Sequence, residues 1–194
     1  MTRWIAALRR PRTALTLALG ALVVLIAAAL LVPPLGRGSA GVTSGPPNGR
    51  TEGGPDGAAV IFYLPGGKVG IGIEVRNSTF LPVTITGLTG GTAVFALEDV
   101  GLVLAVDAGY VGLEEDHVRP FEPLTLAPGQ AQLIGLVGAF PACTSARPNW
   151  STGVGRVFRA LRLDTRVAGL LPVVAEVPLF QPVELRGDAD AACK

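Results

Sequence analysis

The sequence predicts an all-β domain preceded by one N-terminal transmembrane helix. Three observations carry this prediction. Residues 13–32 form an unbroken apolar run, residues from 58 onward alternate apolar and polar side chains, and no segment after residue 32 shows a helical period. An apolar run of about 20 residues is typical of a membrane-spanning helix. A period of two is typical of a strand with one buried face.

The apolar run contains twenty uncharged residues, of which eighteen are Ala, Leu, Val, Ile or Gly. As a helix it would span about 30 Å, the thickness of a bilayer's hydrocarbon core. The preceding residues contain no acid and four arginines: Arg3, Arg9, Arg10 and Arg12. Because positive charge stays in the cytoplasm, residues 1–12 are predicted to be cytoplasmic and the rest of the chain extracytoplasmic.

The predicted location is therefore the cell membrane, crossed once, with the lipid bilayer as the partner of residues 13–32. A cleaved signal peptide is the alternative, since Gly38-Ser39-Ala40 offers a small-residue cleavage site.

Residues 33–57 are dominated by Pro, Gly, Ser, Thr and Asn. A segment with so few apolar side chains predicts a flexible linker. Within it, Gly36 to Gly41 matches the spacing of a dinucleotide-binding fingerprint. That fingerprint requires a strand before it and a helix after it, so we interpret the match as chance.

Short strands follow at regular intervals from residue 58. In the clearest one, Val69, Ile71, Ile73 and Val75 alternate with polar or small residues. Further candidates are 58–64, 81–86, 92–97, 102–106, 124–126, 132–140, 157–167, 173–179 and 183–185. Pro128-Gly129 and Ala168-Gly169 mark turns. Seven to nine strands of this kind predict an antiparallel immunoglobulin-like sandwich over residues 58–194, although the Cys-Trp-Cys signature of true immunoglobulin domains is absent.

Two motifs carry a resemblance to a known group of proteins. The segment 74–85, in which a strand ends at Asn77 and returns through Pro82, resembles a recurrent pattern of bacterial extracytoplasmic Ig-like domains. The segment 126–136, with Cys143 beyond it, is similar to a later part of the same domains. Together they resemble small single-pass actinobacterial membrane proteins of unknown function. The resemblance implies a fold and a location, and it implies no catalytic residue.

The charge and the cysteine content indicate which partners and which compartment to expect. Outside the first twelve residues the chain has 12 basic and 15 acidic residues, a net charge of −3. This balance predicts no nucleic-acid partner, because nucleic-acid binding needs a basic patch. The two cysteines, Cys143 and Cys193, predict a disulfide in an oxidising compartment. Closing a loop of that length would stabilise the domain by roughly 4 kcal/mol.

Candidate contact residues lie late in the chain. Four arginines fall in one predicted strand: Arg156, Arg159, Arg162 and Arg166. We interpret them as a solvated sheet face that pairs with Glu176, with Arg159 and Arg162 as candidate contacts for an anionic ligand. Trp150 is a further candidate, since exposed aromatic residues are enriched at interfaces.

The sequence predicts no catalytic residue, cofactor or metal site. The single histidine, His117, follows the acidic residues 114–116 but has no nucleophile marked to act with it. The acidic group lacks a recognisable calcium-binding spacing. We therefore expect a non-enzymatic module that binds another membrane or envelope protein. The alternative is a sensor module that binds a small molecule or ion.

Overall fold

The computed structural model describes residues 11–89, 97–105, 113, 117–142 and 155–187. The chain forms two compact units, Met1–Pro33 and Pro34–Lys194. The first contains one helix and the second contains all the described strands.

The helix α1 runs from Pro11 to Leu31, so the predicted helical segment is present. However, no helix within the described residues is long and apolar enough to cross a membrane. This finding corrects the prediction of a transmembrane helix over residues 13–32, together with the predicted lipid partner and cell-membrane location.

The second unit is built from strands, which confirms the all-β prediction for this part of the chain. Its described strands are β1 (Leu35–Ser44), β2 (Thr51–Gly53), β3 (Ala59–Phe62), β4 (Lys68–Asn77), β5 (Val83–Leu88), β6 (Glu98–Ala105), β7 (Val118–Pro120), β8 (Leu124–Leu126), β9 (Ala131–Ala139), β10 (Gly155–Val167) and β11 (Leu171–Arg186). A single 3-10 turn spans Pro55–Gly57.

The strands form two sheets. Sheet A has the order β1-β4-β9-β6-β7, and sheet B has the order β2-β3-β11-β10-β5-β8. All pairs are antiparallel except β3 and β11, which run parallel from Ala59 opposite Val183 to Phe62 opposite Arg186. These sheets do not form a clear immunoglobulin fold, so the prediction of an antiparallel immunoglobulin-like sandwich is wrong. They differ from it in the parallel pair, in the additional strands β1 and β2 and in the unequal number of strands in the two sheets.

One hydrophobic core takes side chains from both sheets. The four alternating aliphatic residues of β4 are all buried at 2 % exposure or less: Val69, Ile71, Ile73 and Val75. They share this core with Leu161 and Leu163 of β10 and with Leu185 of β11. The period of two therefore identifies the core face of the strands correctly, because alternate side chains leave a strand on opposite sides.

The segment predicted to be a flexible linker, 33–57, contains β1 and β2 instead. Leu35 anchors β1 in the core at 1 % exposure, and β1 pairs with β4 along its length. Small residues are needed there because neighbouring groups approach the backbone closely. A Cβ at Gly36 would lie 2.6 Å from the Ser78 Oγ atom, and one at Gly41 would lie 2.7 Å from the Phe180 Cβ atom. The glycine-rich composition thus reflects close packing.

The same close packing explains the fingerprint-like spacing of Gly36 to Gly41. The β1–β4 register shifts between Arg37 and Gly41, which marks a β-bulge. The Glu74 carboxylate holds the bulge, since its Oε2 atom accepts hydrogen bonds from the Ser39 and Ala40 amides and from the Ser39 hydroxyl. These glycines lie in a bulged edge strand of sheet A.

Asn77, at the end of β4, links elements of both sheets. Its side chain is 2 % exposed. Its Nδ2 atom donates to the Leu81 and Leu126 carbonyl oxygens at 2.8 and 2.9 Å. Its Oδ1 atom accepts from the Thr79 amide and hydroxyl, both at 2.9 Å. Every hydrogen-bonding position of this amide is used, which favours one geometry for the turn after β4.

Two predicted turns have the backbone that their sequences require. Gly129 has a φ of 76°, and the Gln130 amide donates to the Ala127 oxygen across the Pro128-Gly129 turn. Ala168 and Gly169 both have positive φ, 51° and 72°. Two positive φ values are typical of a two-residue hairpin turn whose twist matches its strands. The turn joins β10 and β11 into a long hairpin.

Candidate functional site

Three arginines of β10, Arg159, Arg162 and Arg166, are exposed on the outer face of sheet B, whereas Arg156 is half-buried opposite Leu185. The β10–β11 register shifts between Phe158 and Ala160, and this bulge gives Arg159 an exposed position like those of Arg162 and Arg166. The Arg162 Nε atom lies 3.0 Å from the Glu176 Oε2 atom, which confirms the predicted cross-strand pair. Because both side chains are more than half exposed, the pair is a solvated contact of small energy.

Three other predicted residues lie outside the described residues: Trp150, Cys143 and Cys193. The part of the chain that the structure describes contains no disulfide. Both partners of the predicted disulfide thus lie outside the described residues.

His117 is half-buried just before β7, and the acidic residues 114–116 lie outside the described residues. Within the described residues, no group of three or more histidine, cysteine, aspartate or glutamate side chains is placed to hold a metal ion.

The outer face of sheet A differs from that of sheet B because it is apolar. Gly70 and Gly72 of β4 alternate with the core aliphatics and so point away from the core. Gly72 lies opposite Gly135 of β9, and Gly135 lies opposite Val103 of β6. We call Gly70, Gly72 and Gly135 the glycine floor. Without side chains, these residues leave the backbone of the sheet bare between its flanking strands.

A cavity of about 410 Å³ lies along this outer face. We call it the sheet A groove. Of the glycine floor only Gly70 lines this cavity. The aliphatic part of the lining is Val103, Leu113, Val118, Pro120 and Val137. This volume falls within the range of about 300–1,000 Å³ that is typical of small-molecule sites.

Leu113 lies directly over the glycine floor. A Cβ on Gly70 would come within 2.9 Å of the Leu113 Cδ1 atom, and a Cβ on Gly72 within 3.4 Å of both Leu113 δ-carbons. A Cβ on Gly135 would also collide with the Leu113 Cδ2 atom. The glycine floor thus packs against an aliphatic side chain, that of Leu113, without side chains of its own.

Charged residues lie around the groove. Its described lining includes Lys68, Asp99 and Arg119. Lys68 begins β4, opposite Ala139, and Arg119 lies on the exposed edge strand β7. Two basic residues against one acidic residue leave a net charge of +1 in the lining. The site therefore combines an apolar floor with charged ends.

Glu74 marks the polar end of the outer face of β4, two residues after Gly72. The hydrogen bonds from Ser39 hold the pKa of the Glu74 carboxyl below its usual range. Because these bonds favour the charged form, Glu74 fastens β1 most strongly when it is ionised.

One feature of the sequence indicates this groove, although it is not a catalytic motif: glycine at outward positions of a strand. In β4 the outward positions 70 and 72 are glycine, where a solvent-facing strand would carry polar side chains. Glycine inside a strand weakens it and often marks a close approach. The pairing of Gly72 with Gly135, however, became visible only with the register of the sheet.

Comparison with known proteins gives no family for this chain. No protein-family model matches the sequence, and no curated protein matches it. Among solved structures it is similar to the Pseudomonas fluorescens alkylpurine DNA glycosylase AlkC bound to DNA containing an abasic site analog. The sequence identity is 12 %, the TM-score is 0.25, and the match covers 60 % of this chain and 27 % of that one.

A TM-score this low carries no argument about function. The structure therefore defines a two-sheet β domain with an apolar groove, and proposals about its function rest on that groove.

Proposed function

We propose that this chain is a non-enzymatic binding module whose site is the sheet A groove, and that it binds a small, largely apolar molecule there. The observation that carries the proposal is the cavity of about 410 Å³ that Gly70, Leu113 and the neighbouring valines line. A sheet needs one apolar face to pack against its partner, and the middle of sheet A is apolar on its outer face as well.

The burial of outward-facing side chains supports this role. Leu133 and Val103 are each 8 % exposed, yet they belong to strand positions opposite Glu74 and Gly135 and lie outside the core cluster. Both side chains are thus apolar and already shielded from water, as the walls of a preformed binding cavity are.

The lining suits holding a molecule better than transforming it. The described lining residues are mostly glycine, valine, proline and leucine, which offer neither a nucleophile nor a general base. The charged groups of the described lining, Lys68, Asp99 and Arg119, are suited to fixing the orientation of a ligand.

A titration with the neutral probe 1-dodecanol tests the proposal. In full-chain protein labelled with ¹⁵N at glycine, we expect the amide signals of Gly70 and Gly138, which line the groove, to shift with one common affinity. Gly70→Val should abolish the Gly138 shift, because its side chain projects into the groove. Gly101→Ala is the matched control on the same sheet face, since a Cβ there meets nothing within 4 Å. Unchanged Gly70 and Gly138 signals in the native chain would refute the proposal.

A second candidate function is protein binding through the outer face of the β10–β11 hairpin. Val157, Val174 and Phe180 are 51 %, 54 % and 61 % exposed there, and the Arg37 guanidinium group lies 5.3 Å from the centre of the Phe180 ring. Exposed apolar side chains beside arginine are typical of protein interfaces.

Photo-crosslinking tests this second candidate. A crosslinking residue at position 174 should give one adduct of reproducible mass, while the same residue at position 122, which is exposed elsewhere, should give none. Equal labelling from both positions would count against a protein partner on this face.

A further inference from the structure

We propose that Leu113 determines the length of the molecule that the sheet A groove accepts, because its side chain ends the groove and fills the apolar surface beyond it. This inference rests on the proposed function, since it names the residue that limits which ligands fit that site. The ligands concerned are molecules with an unbranched aliphatic chain.

Leu113 lies at the boundary between the open groove and the covered part of the glycine floor. It lines the cavity together with Gly70, and a Cβ on Gly70 would lie 2.9 Å from the Leu113 Cδ1 atom. Gly72 and Gly135 do not line the cavity, because the Leu113 side chain covers both of them. The open groove therefore stops where the Leu113 side chain begins.

The covered part of the floor continues the groove in two directions. Gly72 lies two residues after Gly70 on β4, so these outward positions are about 7 Å apart along the strand. Gly135 lies opposite Gly72, and its partner on the other side, Val103, lines the cavity. Without the Leu113 side chain, the bare backbone at Gly72 and Gly135 would extend the groove directly.

The position of the Leu113 side chain depends on space that only glycine leaves. A Cβ on Gly135 would collide with the Leu113 Cδ2 atom, so any side chain there would displace Leu113. Leu113 itself is half-buried and lies outside the hydrophobic core. It therefore belongs to the wall of the site, where a change in its size changes the space that a ligand meets.

The expected change in length follows from the number of carbon atoms. Leu113→Ala removes three of the four side-chain carbon atoms, which leaves room for about three further methylene groups over the floor. Each methylene group that a ligand buries tightens binding about fourfold. Added chain length should therefore stop increasing the affinity sooner in the native protein than in Leu113→Ala.

A series of alcohols tests the proposal. 1-Hexanol, 1-octanol, 1-decanol and 1-dodecanol are each titrated, below the solubility limit, into full-chain protein labelled with ¹⁵N at glycine. Calorimetry gives the affinity, and the glycine amide signals give the location. We expect Leu113→Ala to raise the ratio of dodecanol affinity to hexanol affinity by roughly 15- to 60-fold, as two or three additional buried methylene groups would give.

The glycine signals show where the longer chain lies. In the native protein, dodecanol should shift the signals of Gly70 and Gly138, which line the groove. The signals of Gly72 and Gly135 should stay unchanged. In Leu113→Ala, dodecanol should shift these two signals as well, whereas hexanol should not. A purely structural role of Leu113 would instead change the affinity of all four alcohols by the same factor.

Two further variants are the controls. Val118→Ala also shortens an aliphatic side chain of the lining. Because Val118 is on β7, two strands away from Gly135 on β9, this variant should keep the native ratio of dodecanol to hexanol affinity. The double variant Leu113→Ala, Gly135→Ala returns one carbon atom to the floor, so it should reverse part of the increase in the ratio.

The outcomes separate this inference from the proposed function. If dodecanol leaves the Gly70 and Gly138 signals of the native chain unchanged, the groove is not a binding site and both proposals fail. If dodecanol shifts them but Leu113→Ala leaves the affinity ratio unchanged, Leu113 does not determine the length and the groove remains a binding site.

Thermal unfolding checks that each variant is folded. Should Leu113→Ala not fold, Leu113→Phe decides the matter. Because the floor is already filled, the larger side chain extends into the groove and should lower the ratio of dodecanol to hexanol affinity about fourfold, as the loss of one buried methylene group would. An unchanged ratio in this variant would overturn the inference.

Discussion

The outer faces of the two sheets differ in the polarity of their side chains. On sheet B the outward side chains are polar or charged and pair across strands, as in the Arg162–Glu176 contact and the Thr84–Thr125 hydroxyl contact at 2.9 Å. On sheet A the outward positions around Gly72 and Gly135 are glycine or aliphatic. The inner faces of both sheets are alike, because both pack into one core.

This contrast teaches that the core alone does not explain the sequence of sheet A. A sheet with one partner needs one apolar face, and its other face can be solvated. The apolar outer face of sheet A therefore points to a second requirement, which we attribute to ligand binding. Substitutions in both sheets test this difference. They are given in order of the loss of stability that we expect, with the greatest loss first.

Asn77→Asp should have the largest effect, because Asn77 joins elements of both sheets. The substitution removes the donors to the Leu81 and Leu126 oxygens and places a carboxylate where the side chain is 2 % exposed. We expect a loss of about 3 kcal/mol in the free energy of unfolding at pH 7. Chemical denaturation measures it. Asn48→Asp, at an exposed position, is the control and should change little. Loss of hydrogen-exchange protection in one sheet only would show that Asn77 does not couple the two.

Gly135→Ala should lower the stability of the protein through overpacking in sheet A. The new Cβ would lie 2.9 Å from the Val103 Cγ2 atom and would also collide with Leu113. Overpacking of this kind costs roughly 1–3 kcal/mol. Gly101→Ala, in open space on the same sheet, should stay within about 0.5 kcal/mol of the native protein.

The double variant Gly135→Ala, Leu113→Ala sharpens this result. Removal of the Leu113 side chain relieves one of the two contacts, so the double variant should be less destabilised than the sum of the single variants. Strict additivity in thermal unfolding would contradict the placement of Leu113 over the floor.

Glu74→Gln should have a smaller effect that depends on pH. The pKa of Glu74 is lowered in the folded state, mainly by its hydrogen bonds with Ser39. Its carboxylate therefore contributes stability above the pKa of the unfolded chain and loses it as pH falls through the folded pKa. We expect the native protein to exceed Glu74→Gln by about 1 kcal/mol at pH 7.

This difference should shrink steadily below about pH 4.5. Urea unfolding from pH 7 to pH 3 measures it, with the exposed Glu122→Gln as the comparison. A difference that grows on acidification would mean that the carboxylate does not hold the β1 bulge in its ionised form.

Arg162→Ala should have the smallest effect. The Arg162 and Glu176 side chains are 65 % and 58 % exposed, and exposed pairs contribute about 0–1 kcal/mol. A double-mutant cycle with Glu176→Ala should give a coupling of no more than about 0.5 kcal/mol that weakens in salt. A larger, salt-insensitive coupling would show that the face of sheet B is not simply solvated.

Most of the described strands could be predicted from the sequence, and the site could not. The alternation in β4 and the turns at Gly129 and Ala168-Gly169 are local signals, which need only the backbone period and the preference of particular residues for particular φ values. The segment 33–57 was misjudged because its composition resembles that of a linker, while its glycines in fact serve close packing of β1. The membrane helix was predicted from the length and hydropathy of residues 13–32, but no helix within the described residues is long and apolar enough to cross a membrane.

The sequence by itself determined which residues of each strand face the core, because side chains alternate along every strand whatever its neighbours are. The folded sheet alone shows that Gly72 and Gly135 are neighbours, that Leu113 covers them, and that Gly70, Leu113 and Arg119 line one groove. The physical reason is that sheet register joins residues far apart in the chain through backbone hydrogen bonds, and those bonds carry no mark in the side chains they bring together.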